Sequence, residues 1–343
     1  LTQDTLCRAW EKIGGLRDPE KFGPWLRQIA VNCYRMWRRP WRADVELPEA
    51  SLVQADQDTF ADVCRRDLER ELSAGLQAIP RQNRIALLMR YFGRASYQDI
   101  AAAGGGITRT VTATRGATLG ELQRKANAAL DAILRLGVTT LECKSGYGLD
   151  EANELKHLEV YRRLDAAQPV DLVPTFLGAH VVPPAYRRHR ERYIDLLCEV
   201  LIPRIAHEGL ADFCDVFVEE GAFSVEEARR ILGAASDEGL ALKVHAEQLS
   251  ASGGAMLAAE MGAVSAEHLE YASDAAIEAL AAAGTVAVSL PLASLYLGER
   301  YLPARRMLAA GLQVAVATDF NPGSAPSYHL PLAMTLACLK QSM

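Results

Sequence analysis

Polar side chains that can bind metal ions or transfer protons follow a series of short apolar segments in this sequence. In chain order they are Lys144, Ser145, Tyr147, His180, Glu219, Glu220, His245, Glu247, Gln248, His268, Asp319, Asn321 and Ser324. Neutral imidazoles and a carboxylate that converge on one face can hold a divalent ion, which acidifies a bound water and polarises a carbonyl group. These residue types therefore indicate metal-assisted hydrolysis.

His245 and Asp319 are the candidate metal ligands. Asp319 could also take the proton of the attacking water, and His268 could stabilise a developing oxyanion or orient the nucleophile. The segment DFNPGS (319–324) is rich in turn residues, so its Asn side chain and backbone N–H groups could grip a substrate carboxylate. The alternatives are structural: a single His at a strand end is more often a hydrogen-bonded core residue, and DFNPGS also fits a tight turn.

Seven segments are predicted to be strands, because each is rich in β-branched residues or continuously apolar, as buried parallel strands are. They cover 137–144, 171–178, 212–219, 240–245, 263–268, 284–291 and 313–318. Predicted helices alternate with them at 151–167, 186–209, 225–238, 252–261, 273–283 and 303–310. Repeated βα units build a parallel sheet, and nearly eight of them favour a (β/α)8 barrel over a doubly wound sheet. In such a barrel the polar residues named above lie at the carboxyl ends of the strands.

The composition excludes several classes of protein. The chain has 343 residues, 50% of them hydrophobic and 23% charged, which argues against disorder and suggests two domains. No run approaches 18 apolar residues, and the first twenty residues do not form a signal peptide. The seven cysteines contain no C-x-x-C pair, so we expect reduced thiols and a cytoplasmic protein. Leu1 in place of an initiator Met suggests a fragment.

The first hundred residues differ in character from the rest. They hold 16 Lys and Arg against 14 Asp and Glu, whereas the remainder holds 21 against 29. All four tryptophans lie within residues 1–41, close to a basic run at 35–42. Basic and aromatic side chains together suit nucleic-acid binding, although a solvated helix face over core tryptophans explains them equally well. The pattern predicts helices, with an acidic linker at 44–59 and a partial helix-turn-helix starting near Pro80.

Seven motifs, taken in order, are similar to those of imidazolonepropionases, members of the amidohydrolase superfamily. They are GGGITRTVTATR (104–115), TTLECKSGYGLD (139–150), TFLGAH (175–180), DVFVEEGAFS (215–224), KVHAEQLS (243–250), SAEHLE (265–270) and ATDFNPGS (317–324). The resemblance covers about residues 93–343. It implies an enzyme that opens the cyclic amide of 4-imidazolone-5-propanoate with water to give N-formimidoyl-L-glutamate, in histidine degradation, with one zinc or iron ion.

The resemblance also implies a role for individual residues. His245 and Asp319 are implied as metal ligands, and His268 and Asp319 as catalytic residues. The substrate-binding positions implied are Arg115, Tyr147, His180, Gln248, Asn321, Gly323 and Ser324, with the Arg115 guanidinium pairing with the propanoate carboxylate. Leu292 departs from the Gly that is more usual after the Pro of that loop.

One feature of the superfamily has no counterpart in this sequence. Its members carry an H-x-H pair at the end of the first barrel strand, and both imidazoles bind the metal. The seven histidines here are at 157, 180, 189, 207, 245, 268 and 329, and no two are separated by a single residue. Together with the count of seven strands, this predicts an incomplete TIM-type (β/α)8 barrel that lacks its first strand, with weakened metal binding and activity.

The front of the chain has a resemblance of its own. Residues 2–39 are similar to the promoter-melting region of an extracytoplasmic-function sigma factor, and residues 76–101 to the start of its promoter-reading helix-turn-helix. After Ile100 the chain turns into three glycines where a recognition helix would follow, which places the junction of the two resemblances within 90–104.

Three hypotheses follow from the two resemblances. The first and favoured one is a hydrolase whose N-terminal segment comes from an unrelated protein. This hypothesis implies a small-molecule substrate and allows a homodimer. The second is a sigma factor-like protein that contacts DNA and RNA polymerase through residues 1–100, with a non-catalytic C-terminal domain. The third is an artificial joining of two genes. The predicted divisions are 1–43 (promoter-melting-like helices), 44–59 (linker), 60–103 (partial helix-turn-helix and junction) and 104–343 (barrel).

Overall fold

The computed structural model describes residues 107–343. The predictions for residues 1–103, including the sigma factor-like helices, the acidic linker and the junction, lie outside the described residues and stay predictions. Among the described residues, no helix combines the length and apolarity needed to span a lipid bilayer.

Seven parallel strands form one sheet in the order in which they occur in the chain. They are β1 (Thr140–Lys144), β2 (Asp171–Ala179), β3 (Phe213–Val218), β4 (Ala241–Ala246), β5 (Ser265–His268), β6 (Val286–Ser289) and β7 (Val314–Val316). Each strand pairs with its sequence neighbour, and the β3–β4 register sets Phe217 opposite His245. Sequential parallel pairing produces a curled sheet of the TIM-barrel type, whose described portion ends at β1 and β7.

Helices precede the sheet and connect its strands. They are α1 (Ile107–Gly116), α2 (Leu119–Leu134), α3 (Glu151–Asp165), α4 (Arg190–Asp195), α5 (Ile202–His207), α6 (Val225–Asp237), α7 (Gly254–Glu260), α8 (Asp274–Ala283), α9 (Pro291–Leu297), α10 (Ala304–Ala309) and α11 (Leu330–Gln341). Several begin at a side-chain cap: Thr118 and Ser224 form capping boxes with Glu121 and Glu227, and Asp150 caps α3. These caps supply the hydrogen bonds that the first turns lack.

The two faces of the strands differ in chemistry. In β4, Leu242 and Val244 belong to the core between the sheet and its helices, while Lys243 and His245 point to the concave side. Alternate residues of a strand face opposite sides, so β1, β3, β4 and β5 put apolar residues under the helices and charged residues inside the curl. The buried Ile231 of α6 and Leu197 before α5 complete this core.

The seven predicted strands are confirmed, each within three residues of its expected bounds. Of the predicted helices, 186–209 is divided into a 3-10 turn at Pro184–Tyr186, α4, a π-helical segment at Leu196–Leu201, and α5. Pro203 stands in the first turn of α5, where the missing N–H of proline is tolerated. Four helices were not predicted: α1, α2, α11 and α9, which starts at Pro291 and buries Leu292 completely.

Candidate active site

His245, near the end of β4, is held from below by an acidic side chain. Its Nδ1 lies 2.8 Å from the Oδ2 of Asp215 on β3, and its backbone N–H donates to the Oδ1 of the same residue at 3.2 Å. The imidazole is almost completely buried, with the ring of Phe217 at 6.3 Å between centroids on one side and that of His268 at 5.3 Å on another. Its second ring nitrogen is therefore the one available at the carboxyl end of the sheet.

His268 terminates β5 in an unusual backbone conformation. Its φ is +76° and that of Leu269 is +63°, a region that costs non-glycine residues energy and that concentrates at functional sites. The imidazole is buried, and its Nδ1 lies 3.8 Å from the Oε2 of Glu270. Burial alone would lower the pKa of His268, but the Glu270 carboxylate, and then Asp319, outweigh it and raise the pKa above its ordinary value. The Ser294 hydroxyl donates to Glu270 at 3.0 Å and fixes that carboxylate.

The loop after β7 presents Asp319 through a hydrogen-bonded turn. The Asn321 side-chain amide donates to the Asp319 carbonyl at 2.7 Å, and its oxygen accepts the N–H groups of Gly323 and Ser324 at 2.8 and 2.7 Å. The Ser324 hydroxyl lies 3.3 Å from the Oδ2 of Asp319, whose own φ is +53°. The Asn321 side chain is thus engaged within the turn, and Gly323 is exposed.

His245, His268 and Asp319 converge at the carboxyl ends of three strands. One ligand atom from each lies within 4.8 Å of the other two. Two imidazole nitrogens and one carboxylate oxygen are a donor set that zinc and iron accept, and two of the three residues are buried. The donors therefore fit a divalent metal ion. His268, predicted to be catalytic, lies within this group beside the two predicted ligands.

Tyr147 and His180 form the neighbouring wall of the site, from the loops after β1 and β2. Their rings meet edge to face at 5.2 Å, and the His180 ring lies 6.1 Å from that of Phe217. Burial, followed by the Asp319 charge, raises the pKa of Tyr147, so the phenol stays neutral and able to donate. Burial, followed by His245, lowers the pKa of His180 to about 4. The His180 Nδ1 faces the Gly146 carbonyl at 3.2 Å, which assigns its proton to Nδ1 and leaves Nε2 as an acceptor.

The β1 loop that carries Tyr147 is held from both sides. The fully buried Glu154 of α3 accepts the N–H groups of Gly146, Gly148 and Leu149 at 3.0, 2.7 and 2.8 Å. From the other side the Arg115 guanidinium donates to the carbonyls of Gly148 and Leu149 at 2.7 and 3.1 Å.

Arg115 also pairs with Asp150, with Nε 3.0 Å from Oδ2. The Arg115 guanidinium, which was predicted to pair with a substrate carboxylate, therefore contacts the β1 loop in the structure. Gln248 is half-buried after β4, and no contact ties it to the site.

Other polar residues predicted at the strand ends have structural contacts. The Ser145 hydroxyl accepts the Leu177 N–H at 3.0 Å and joins β1 to β2. Glu219 accepts the N–H of Leu249 at 2.9 Å and the hydroxyl of Ser250, tying the β3 loop to the β4 loop. Burial raises the pKa of Glu247.

A layer of buried and half-buried charges beneath the site was not predicted, apart from Lys144, which was expected at a strand end. It consists of Glu142, Lys144, Asp215, Lys243 and Glu267, all on the concave side of β1, β3, β4 and β5. Lys144 donates to Glu142 at 2.8 Å and to Asp215 at 2.7 Å, and Lys243 lies 3.1 Å from Glu142. The available signal was a charged residue at every second position in otherwise apolar strands, as in LECK and ALKVH.

Solved structures of other proteins share this fold. A 5-methylcytosine deaminase from Klebsiella pneumoniae liganded with 5-fluorocytosine superposes with a TM-score of 0.57 at 17% identity, over 69% of this chain and 62% of that one. An adenosine deaminase from Xanthomonas campestris with bound zinc matches with a TM-score of 0.50 at 16% identity, over 69% and 54% of the two chains. At such identities the likeness concerns the fold alone, a barrel-type parallel α/β sheet.

Curated proteins similar in sequence to this chain include two imidazolonepropionases. The imidazolonepropionase of Symbiobacterium thermophilum is 55% identical over 249 residues, covering 72% of this chain and 59% of the relative. That of Alkaliphilus metalliredigens is 46% identical over 264 residues, covering 77% and 62%. No family model matches the chain. The chain is therefore homologous to imidazolonepropionases, and it spans about three fifths of their length.

Proposed function

We propose that residues 107–343 carry the catalytic half of an imidazolonepropionase-type hydrolase, which opens the cyclic amide of 4-imidazolone-5-propanoate to N-formimidoyl-L-glutamate. The observation that supports this most strongly is the convergence of His245, His268 and Asp319 within 4.8 Å at the strand ends. Identity of 46 to 55% to curated imidazolonepropionases supports the choice of substrate.

His245 and Asp319 are the proposed metal ligands, and His268 stands within reach of the same position. A bound zinc or iron ion would supply a more acidic water and a polarised carbonyl group. Of the structures similar in fold, the adenosine deaminase from Xanthomonas campestris has bound zinc, which supports a metal ion in this chain as well.

Asp319 and His268 have separate roles in the proposed reaction. Asp319 accepts a proton from the attacking water as its oxygen bonds to the ring carbonyl carbon. His268, raised in pKa beside Glu270, donates a hydrogen bond to the developing oxyanion. When the ring C–N bond breaks, the proton taken by Asp319 passes to the departing nitrogen, which becomes an N–H group. The carbonyl carbon becomes a carboxylic acid, which releases the second proton of the water to solvent and ionises to a carboxylate.

Tyr147 and His180 are proposed to orient the ring of the substrate. The neutral Tyr147 phenol donates, while the Nε2 of the neutral His180 accepts, so the pair suits a heterocycle that has both carbonyl and N–H groups. Gln248, Asn321, Gly323, Ser324 and Arg115 remain proposed substrate-binding residues. Among them, Asn321 and Arg115 act through the loops that they shape.

A cytoplasmic location is part of the proposal. It is supported by Cys143, Cys198, Cys214 and Cys338, which are all free thiols in the described part of the chain. The homodimer, the polymerase contact and the sigma factor-like function of residues 1–100 stay predictions.

The test combines metal content and turnover in one sample of the full chain. Elemental analysis after gel filtration should give about one zinc or iron per chain, and the same sample should consume 4-imidazolone-5-propanoate. Asp319→Ala should abolish turnover. The control is Asp171→Ala, because Asp171 is exposed at the opposite end of the sheet and should be dispensable. A folded chain that neither binds metal nor turns over substrate would refute the proposal, and unchanged turnover in Asp319→Ala would refute the site.

A further inference from the structure

Lys156 is a half-buried lysine of α3 that no step of the proposed reaction uses. Its ammonium group has three N–H donors, and three backbone carbonyl oxygens lie within hydrogen-bond distance of it. They belong to Thr114, Arg115 and Ala117, at 3.0, 3.2 and 2.9 Å. The side chain therefore binds the main chain of a segment that precedes it by about forty residues.

The three carbonyls lie where α1 ends and α2 begins. The last carbonyl groups of a helix have no partner within that helix, and a lysine side chain can supply one. The N–H of Ala117 also donates to the Ala113 carbonyl at 3.1 Å, and Thr118 caps α2. Lys156 therefore fixes the corner between α1 and α2 against α3.

Arg115 lies in the last turn of α1 and is bound through both its main chain and its side chain. Its carbonyl accepts from Lys156, while its guanidinium donates to the carbonyls of Gly148 and Leu149 in the β1 loop, at 2.7 and 3.1 Å. Its Nε also lies 3.0 Å from the Oδ2 of Asp150, which caps α3. The guanidinium can keep these contacts only while the last turn of α1 keeps its place.

α3 holds the β1 loop by two routes. In the direct route, the buried carboxylate of Glu154 accepts three N–H groups of the loop. In the indirect route, Lys156 holds the turn of α1 whose Arg115 binds the loop carbonyls. Residues two apart in an α-helix point about 200° away from each other, so the two routes begin on different faces of α3. The N–H groups and the carbonyls of the loop that carries Tyr147 are thus held separately.

We propose that Lys156 is a positioning residue for the substrate site, which acts through Arg115 to keep the β1 loop and Tyr147 in the geometry that binds substrate. The effect on the loop is a property of the chain itself. Its consequence for the substrate rests on the proposed function, in which Arg115 and Tyr147 contribute to binding 4-imidazolone-5-propanoate. A lysine that only capped α1 would stabilise the corner and leave the loop unchanged, so the two roles differ in what happens at the loop.

Hydrogen exchange on the full chain, followed by NMR or mass spectrometry, measures the effect on the loop. Lys156→Met keeps an unbranched apolar stem but removes the three hydrogen bonds. We expect exchange at the amides of Gly148 and Leu149 to accelerate about 3- to 10-fold, the effect of losing a modest hydrogen-bonded support. Lys125→Met is the matched control, because Lys125 is exposed on α2. Acceleration at Ala117 with unchanged exchange in the loop would overturn the proposal.

A double-mutant cycle tests whether Lys156 acts through Arg115. Arg115→Met removes the donors to the loop, so a further Lys156→Met substitution should change loop exchange by less than about two-fold. In the parent background the same Lys156→Met substitution should have its full effect. Equal accelerations in the two backgrounds would show that Lys156 reaches the loop by another route, and would overturn the proposal.

Turnover of 4-imidazolone-5-propanoate gives the second readout. Lys156→Met should raise KM about 3- to 10-fold and leave kcat within about two-fold of the parent, because the β1 loop contributes to binding while Asp319 and His268 belong to other loops. Lys125→Met should change neither constant.

A loss of kcat at unchanged KM in Lys156→Met would overturn the positioning role in substrate binding. A parent that has no turnover, together with the expected exchange pattern in the variants, would refute the proposed function and leave the action of Lys156 on the loop intact. The two failures are therefore distinguishable.

Discussion

The side-chain amide of Asn321 donates a hydrogen bond to the backbone carbonyl of Asp319, 2.7 Å away. Asp319 has a φ of +53°, a conformation that aspartate adopts at a cost, and the Asn321 contact is one of those that hold it there. Asn321 therefore acts on the proposed ligand through the backbone, and its substitution tests whether the turn or the substrate needs it.

Asn321→Ala removes the hydrogen bonds to Asp319, Gly323 and Ser324 together. We expect a loss of about 1 kcal/mol in the free energy of unfolding, because the turn is partly exposed and water replaces some partners. Zinc affinity should fall about 10-fold, as for a residue that orients a ligand. Urea denaturation and chelator competition measure the two effects. Ser327→Ala, in the same loop, is the control. If Asn321→Ala binds zinc as tightly as the parent, Asp319 keeps its position without the Asn321 hydrogen bonds.

Glu154→Gln tests the support of the β1 loop. The glutamine oxygen can still accept the N–H groups of Gly148 and Leu149, but its NH2 group would face the N–H of Gly146. We expect a loss of about 1 to 3 kcal/mol in stability, because a buried donor loses its partner. Hydrogen exchange should also accelerate at the Gly146 amide, which mass spectrometry or NMR can follow.

The control for this loop is Glu159→Gln on the same helix. Glu159 pairs with the exposed Arg162 and Arg163 within one turn, so its loss should cost at most about 0.5 kcal/mol. Equal stability losses in the two variants would contradict a specific role for Glu154 in the loop.

The residues at the strand ends were predictable from sequence because each marks a change from apolar to polar side chains. Such a change precedes His180, His245, His268 and Asp319. Because the functional residues of a (β/α)8 barrel lie at the carboxyl ends of its strands, these four residues are expected at the same edge of the sheet. This reasoning required only local pattern and the topology of a parallel sheet. It therefore identified the proposed ligands before any contact was known.

The supporting residues could not be predicted in the same way. Glu154 has the sequence context of an ordinary surface glutamate in a helix, and its three N–H partners come together only when the loop folds over α3. Asp215 and Glu142 interrupt apolar strands, and their burial depends on lysines from other strands. Helix periodicity likewise does not show that 186–209 divides at a π-helical segment.

His157 gives the stability a dependence on pH. The residue is buried in α3 next to Tyr161, with Glu154 and Lys156 nearby, and burial lowers its pKa in the folded state. The unfolded chain binds the proton near the ordinary histidine value of about 6.5, so the unfolded state takes up more protons as the pH falls. The stabilising contribution is therefore full above about pH 6.5 and is lost progressively below it.

His157→Gln should reduce this loss. Urea denaturation between pH 7 and pH 5 should show a smaller decrease in the free energy of unfolding for the variant than for the parent. His207→Gln is the comparison, because His207 is exposed at the end of α5, and its profile should follow that of the parent. Parallel profiles for the parent and His157→Gln would rule out the buried imidazole as the source.

Two glycine substitutions should change stability in opposite directions. At Gly146 the φ is +93°, and a Cβ would lie 2.5 Å from the Leu177 carbonyl oxygen, so Gly146→Ala combines backbone strain with a clash against a strand. We expect it to cost about 2 kcal/mol or more. Gly233 lies within α6 with open space around a Cβ, so Gly233→Ala should stabilise the chain by about 0.5 to 1 kcal/mol. Thermal or urea unfolding measures both effects. If Gly146→Ala is as stable as the parent, the β1 loop can rearrange to accept a side chain at this position, which would contradict the prediction.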